Sequence, residues 1–187
     1  MKDYNQLLNT KECELVDLGE IIEVGPKSKS GISDIKEMKS GEIICLTSGS
    51  KTFYVDQYLV DGKYIFMNDG GQSDTKYHEG KAYYSDHVFA FTTNTDQINT
   101  KYIYHYLVKI NELINEKYFR GGGIKNLVKR EFLEIKIPIP PLEIQNEIVN
   151  ILDKFTELTA ELTARQKQYE YYRNSLLNFN DIKLGGE

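Results

Sequence analysis

The sequence predicts an α/β protein: a globular domain of mixed short strands and helices over residues 1–141, then one long coiled-coil-forming helix with a tail over 142–187. Three observations carry this. Short runs rich in β-branched and aromatic residues, separated by turn signals, fill residues 42–92. A helical period replaces them from Asn99 to Phe119. After Ile137-Pro138-Ile139-Pro140-Pro141, a heptad runs from Leu142 to about Phe179 with no Gly or Pro in it.

In the first region the expected strands are Glu42–Thr47, Phe53–Val60, Lys63–Met67 and Tyr83–Thr92. Turns are expected at Ser48-Gly49-Ser50, Asp61-Gly62 and Asn68-Asp69-Gly70-Gly71. In the second, Ile103, Tyr106, Leu107, Ile110, Leu113 and Ile114 share one face of a helix that Gly121-Gly122-Gly123 stops. The three prolines that follow fix φ and remove backbone donors, which makes a stiff boundary.

The heptad positions are Ile148, Ile151, Phe155, Leu158, Leu162, Arg165, Tyr169, Tyr172, Leu176 and Phe179, with Arg165 the one polar member. A helix from Leu142 to Phe179 would be roughly 57 Å long at about 1.5 Å per residue. That exceeds the diameter of the domain before it, so the seam is expected to be covered by a long helix from another molecule. Arg165 either sets register against an acid such as Glu157 or Glu161 across the axis, or packs its stem while its charge reaches solvent.

Composition narrows the function. In 187 residues, 40% hydrophobic and 27% charged, no run approaches the roughly 18 apolar residues of a membrane helix. The first residues lack the apolar core of a signal peptide, so a cytoplasmic protein is expected. Cys13 and Cys45 form no metal-ligand spacing and are read as reduced core residues. A net charge of −5 argues against a histone-like coat of phosphate contacts but leaves room for a local basic face. The charge is uneven: residues 1–25 are acidic, whereas the next stretch carries Lys27, Lys29, Lys36, Lys39 and Lys51.

Enzymatic motifs are missing. His78, His87 and His105 stand in no paired spacing with acids. The stretch Asn68–Asp74 lacks the alternating acids and closing Glu of a calcium loop, so neither metal nor cofactor is expected. Gly121-Gly122-Gly123 lacks the Gly-Lys-Ser/Thr ending of a phosphate loop, and reads either as a helix C-cap or as a backbone-contacting loop. On its residues alone the chain reads as a binding module. Its fourteen tyrosines suit groove contacts, although Tyr54, Tyr58, Tyr64, Tyr83 and Tyr84 also suit half-buried strands. The candidate contact residues lie in loops: Lys27, Lys29, Ser30, Lys51, Gln72, Lys76, Tyr77, His78, Lys125, Asn126 and Lys129.

The C-terminal text is more specific. Ile137-Pro138-Ile139-Pro140-Pro141-Leu142-Glu143-Ile144-Gln145 leads through Ile148–Phe155 to Arg165-Gln166-Lys167-Gln168-Tyr169-Glu170-Tyr171-Tyr172-Arg173. This resembles the spacer helix of the specificity subunit of type I restriction–modification enzymes. The upstream half resembles that family's target recognition domain, at Val16–Ile21, Gly80–Phe89 and Gly123–Leu127. The resemblance implies a non-catalytic subunit that binds double-stranded DNA and holds methylation subunits, with restriction subunits joining the full complex. The usual subunit resembles two such units in tandem, so the resemblance also implies a half-subunit. It would pair through an antiparallel helix pair with a second copy or another half. The rival expectation is a coiled-coil scaffold whose globular head binds protein.

Overall fold

Tyr and β-branched residues in the middle of the chain build a six-stranded sheet, and the helical segments pack on one of its faces. The computed structural model describes residues 13–178. It comprises β1 (Glu14–Asp17), α1 (Leu18–Ile21), β2 (Ile22–Val24), α2 (Ile32–Glu37), β3 (Ile43–Leu46), β4 (Phe53–Val55), β5 (Val60–Asn68), β6 (Thr75–Tyr84) and β7 (Val88–Thr93). There follow α3 (Thr100–Lys109), α4 (Asn111–Tyr118), β8 (Phe119–Arg120), β9 (Asn126–Leu127), α5 (Lys129–Leu133), β10 (Lys136–Ile139) and α6 (Leu142–Leu176). The large sheet has the order β2-β7-β5-β6-β3-β4, and only β3 and β6 run parallel.

The sheet folds on itself. Phe66 of β5 stands opposite Lys76 of β6, yet its ring lies 5.6 Å from that of Tyr84, eight residues farther along β6. A straight strand would separate positions 76 and 84 by about 26 Å. The bend centres on Gly62 and Gly80, a directly opposed pair with φ of 136° and 109°. Asp61-Gly62 is therefore not the turn expected from sequence but a fold within β5. Inside it, Leu46, Val60, Phe66, Ala82, Tyr84, Val88 and Ala90 form a second core.

The main core lies on the other face. Leu18, Ile65, Phe91, Ile103, Leu107, Ile114, Phe119, Phe132 and Ile137 are all essentially inaccessible there, each contributing roughly 1.5–3 kcal/mol by burial. Asn99 caps α3, its side chain accepting from the amides of Lys101 and Tyr102. The single helix expected over 99–119 breaks at Ile110 (φ −98°, ψ 16°), where β-branched Val108 and Ile110 meet Asn111. The expected strand Tyr83–Thr92 likewise breaks at Ser85-Asp86-His87 into the ends of β6 and β7. Cys45 is buried, and burial pushes its thiol up to about 11, which keeps it protonated.

β1 pairs antiparallel with β10, from Glu14↔Ile139 to Asp17↔Lys136. The chain divides into two compact units, Met1–Val149 and Asn150–Glu187, so the first two turns of α6 belong to the globular unit. Gln145 explains why. Fully buried, it accepts the Asn99 amide at 2.8 Å through Oε1 and donates through Nε2 to the carbonyls of Pro140 (2.8 Å) and Gln97 (3.3 Å). Val149 is also buried, and Ile148 packs partly against the main core.

In the second unit, no described residue is buried. Thr156, Thr159 and Thr163 turn their hydroxyls back to the carbonyls of Leu152, Phe155 and Thr159. Phe155, Leu158, Leu162, Tyr169, Tyr172 and Leu176 are 53–74% exposed, and Ile151 is half-exposed. Arg165 pairs with Glu161 one turn back on its own helix, at 2.5 Å. Phe179 lies outside the described residues.

Candidate nucleic-acid interface

The loops holding most of the sequence-predicted contacts come together at one edge of the folded sheet. Bending the β5–β6 ribbon carries the end of β5 against the end of β3. There the buried side chain of Asn68 donates through Nδ2 to the carbonyls of Ser48 (2.9 Å) and Gln72 (3.2 Å). One amide thus ties the 48–51 loop to the 69–74 loop. Lys76 repeats the tie, donating to Thr47 O at 2.8 Å and Gly49 O at 3.2 Å.

The third loop is the tip of the β8–β9 hairpin. Gly71 donates its amide to Lys125 O at 2.8 Å, Leu127 donates to Asp69 O at 2.9 Å, and Gly70 bridges to Asn126. Gly121-Gly122-Gly123 is thus a hairpin tip rather than a helix cap, and only Gly121 has a positive φ, of 149°. The fourth loop, 25–31, is held to the β6–β7 turn. Tyr84 donates its hydroxyl to Pro26 O, Ser30 pairs with the Tyr83 hydroxyl at 2.8 Å, and the Asp86 amide donates to Ser30 O at 3.0 Å. The Asp69 amide donates to His87 O at 2.9 Å, which links this turn to the other loops.

Charge sorts the candidates. Lys27, Lys29, Lys51 and Lys125 are exposed and make no ion pair among the described residues, although Lys51 lies 5.4 Å above the Phe53 ring. Lys76 and Lys129 are committed internally. Lys76 meets Asp74 at 2.8 Å, and Lys129 meets Asp69 at 2.7 Å while lying 5.0 Å above the Phe89 ring. Those two acids of the 68–74 stretch are therefore used by lysines. Gln72 and Asn126 are exposed, and the Asn126 amide makes one long bond, 3.4 Å, to Ile124 O.

Five candidates stand elsewhere than in loops: Asn126 opens β9 and Lys129 opens α5. Lys76, Tyr77 and His78 belong to β6, because the aromatic and β-branched ladder begins at Thr75. Tyr77 packs against the main core beside Tyr104, with ring centroids 5.7 Å apart, and Lys101 lies over its ring at 5.2 Å. His78 is half-buried opposite Tyr64. Ser30 spends its hydroxyl on Tyr83. Sequence reasoning missed Asn68 and Asn115, whose Oδ1 accepts the Ser73 amide at 2.6 Å. Asn68 stood in a recognised turn signal, but its role depends on Ser48, twenty residues away. Between the hairpin tip and α4 lies a hollow of about 580 Å³ lined by Gln72, Glu112, Asn115, Glu116, Ile124 and Lys125. No group of three or more His, Cys, Asp or Glu residues among those described could hold a metal ion. No described helix is long and apolar enough to cross a membrane.

The chain joins a mixed α/β unit with a looped, lysine-bearing edge to a long helix that follows a Pro-Pro boundary. The chain matches the family model described as the type I restriction modification DNA specificity domain over residues 10–170, and it belongs to that family. It is 34% identical over 201 residues to the Escherichia coli type I restriction enzyme EcoR124I/EcoR124II specificity subunit, covering 97% of this chain and 48% of that one. A Haemophilus influenzae protein described as a type I restriction enzyme specificity subunit is 30% identical over 194 residues, covering 95% and 49%. The chain thus spans about half the length of these relatives. Its fold matches the S subunit of a type I restriction–modification system from M. genitalium, with a TM-score of 0.69 at 17% identity over 91% of this chain and 48% of that one. The HsdS subunit from Thermoanaerobacter tengcongensis gives 0.60 at 15% identity over 83% and 40%.

Proposed function

We propose that this chain is a non-catalytic DNA-recognition component of a type I restriction–modification complex, reading one part of a bipartite target in double-stranded DNA. The observation that carries the proposal is the convergence of the 25–31, 48–51, 69–74 and 121–126 loops at one edge, where Lys27, Lys29, Lys51 and Lys125 make no ion pair among the described residues. Unpaired lysines supply the sequence-independent phosphate term, while exposed Gln72 and Asn126 have the bidentate amides that read base edges. In this reading residues 1–141 recognise DNA and 142–187 supply the spacer helix and its tail.

The uncovered seam from Ile151 to Leu176 supports a second role, antiparallel pairing with another copy or another half-subunit. Methylation subunits, and in a complete system restriction subunits, would assemble on the pair. The test is retention on duplex DNA by the chain assembled with its methylation subunit, measured against salt, together with methylation mapping of a genome carrying both. Binding that weakens steeply with salt, and methylation at one bipartite sequence, would support the proposal. Salt-insensitive retention with no defined methylated sequence would exclude it.

A further inference from the structure

No large hydrophobic side chain among the described residues is more exposed than Ile124, at 76%. A lone exposed aliphatic residue on a loose loop needs no explanation. Ile124 is different because its neighbours are clamped. Arg120↔Asn126 and Phe119↔Leu127 close the hairpin beneath it, and Gly71 and Asp69 bind the backbone of Lys125 and Leu127 from the side. Before it stand Gly122 and Gly123, where an added Cβ would meet nothing within 4 Å. After it stands Lys125, exposed and free of any ion pair among the described residues. The hairpin therefore projects a bare backbone, one aliphatic side chain and one cation from the edge where the other lysine-bearing loops meet.

We propose that Ile124 is a specificity-determining residue that enters the major groove and packs against the C5-methyl group of one thymine, while Lys125 takes an adjacent phosphate. This rests on the DNA-recognition reading above. The chemistry selects the contact: of the groups displayed in the major groove only thymine offers an apolar one, and an aliphatic side chain has no other favourable partner there. Glu112 and Glu116, on the α4 wall of the adjoining hollow, would repel phosphate from that side. The backbone of the DNA is thereby directed towards Lys125.

The test uses the full chain assembled with its methylation subunit, on the target read from methylation mapping. Each thymine of that target is replaced singly by deoxyuridine, which removes only the methyl group. One substitution should weaken binding about fourfold, the factor that one buried methyl group is worth. The same substitution should cost Ile124→Ala nothing, at a melting temperature equal to the parent's. The inference is overturned if the target holds no thymine, if no single uridine weakens the parent, or if the critical uridine weakens Ile124→Ala equally. Should that variant melt early, the uridine scan is repeated with Ile124→Val, which keeps an apolar tip and should keep the fourfold loss; its absence there also overturns the inference. A parent that binds its target no better than a scrambled duplex would instead remove the DNA-recognition reading itself.

Discussion

Gly62 and Gly80 face each other across the β5–β6 ladder, and both hold a positive φ. Two opposed residues in a region closed to most L-amino acids let the ribbon fold sharply, so that Phe66 meets Tyr84 and Asn68 reaches Ser48. The candidate DNA edge is a consequence of that fold, since Ser48 and Gln72 belong to connections that a flat sheet would hold far apart.

Alanine at either glycine would meet only ordinary contacts, His78 Nε2 at 3.8 Å from position 80 and Tyr64 Cε2 at 3.8 Å from position 62. The cost is therefore backbone strain, about 1–3 kcal/mol for each substitution. Gly122→Ala has neither strain nor neighbour and should stay within about 0.5 kcal/mol of the parent. Urea unfolding of the three variants checks this, and equal midpoints would mean that the fold does not depend on the pair.

Gln145 gives the Pro-Pro-Leu-Glu-x-Gln stretch a physical meaning, because its buried amide satisfies Asn99 N–H and the carbonyls of Pro140 and Gln97 at once. Gln145→Ala leaves the first two without those partners and should cost about 2 kcal/mol or more. Gln145→Glu keeps the acceptor but buries a charge, so its deficit should shrink as the pH falls and the carboxyl protonates. Stability curves at neutral and acidic pH separate the two variants.

These two devices mark what a linear reading could see. The heptad of α6 and the apolar face of α3 are local periods, and both are legible because each depends on residues three or four apart. The bend at Gly62 is not, because Asp-Gly reads as a turn until Gly80 is known to stand opposite. Nor is the pairing of β1 with β10, which joins Glu14 to Ile139 across nearly the whole globular unit. The glycine run at 121–123 reads equally as a cap or a loop until Phe119 and Leu127 pair. Among the candidate contacts, the lysine loops follow from composition. That Lys76 and Lys129 are spent on Asp74 and Asp69 follows only from the tertiary structure.

Two tyrosines tie separate segments to the globular unit. Tyr84 donates to Pro26 O and Tyr102 donates to Pro138 O at 2.7 Å, and burial pushes each phenol up to about 12. A group whose folded pKa is raised holds its proton longer in the folded state, so its contribution is full below the unfolded value near 10 and is lost as pH rises through 12. Stability should fall between those pH values, and Tyr84→Phe and Tyr102→Phe should each flatten part of the fall. An unchanged slope in both single variants, read by urea midpoints against pH, would count against this assignment.

The uncovered seam makes a separate demand. Leu158 and Leu162 are 58% and 60% exposed in the single chain, an apolar stripe that pairing would bury. Asp at both positions would place charges in that interface and cost several kcal/mol of association. The double variant should sediment at half the parent's mass while the globular unit keeps its melting temperature. Identical masses would show that the seam is not where two chains meet. Arg165, already satisfied by Glu161, should tolerate Leu with a gain in melting temperature and no change in helix orientation by cysteine cross-linking.

The lysines of the candidate edge should separate into two kinds. Lys27, Lys51 and Lys125 have no ion-pair partner among the described residues, so each substitution by Ala should lower the slope of log affinity against log salt by about one unit, evenly across DNA sequences. Lys76 has a different task, since its ammonium joins Thr47 O, Gly49 O and Asp74. Lys76→Ala should leave the salt slope near the parent's and reduce stability, because two loop carbonyls lose a charged donor, at about 1–3 kcal/mol. Losing Gln72 or Asn126 should do neither, and should instead relax preference at a single target position. Affinity against salt and urea unfolding, measured on the same variants assembled with the methylation subunit, would distinguish the three outcomes. If Lys27, Lys51 and Lys125 all keep the parental slope, the DNA lies on another face of this domain.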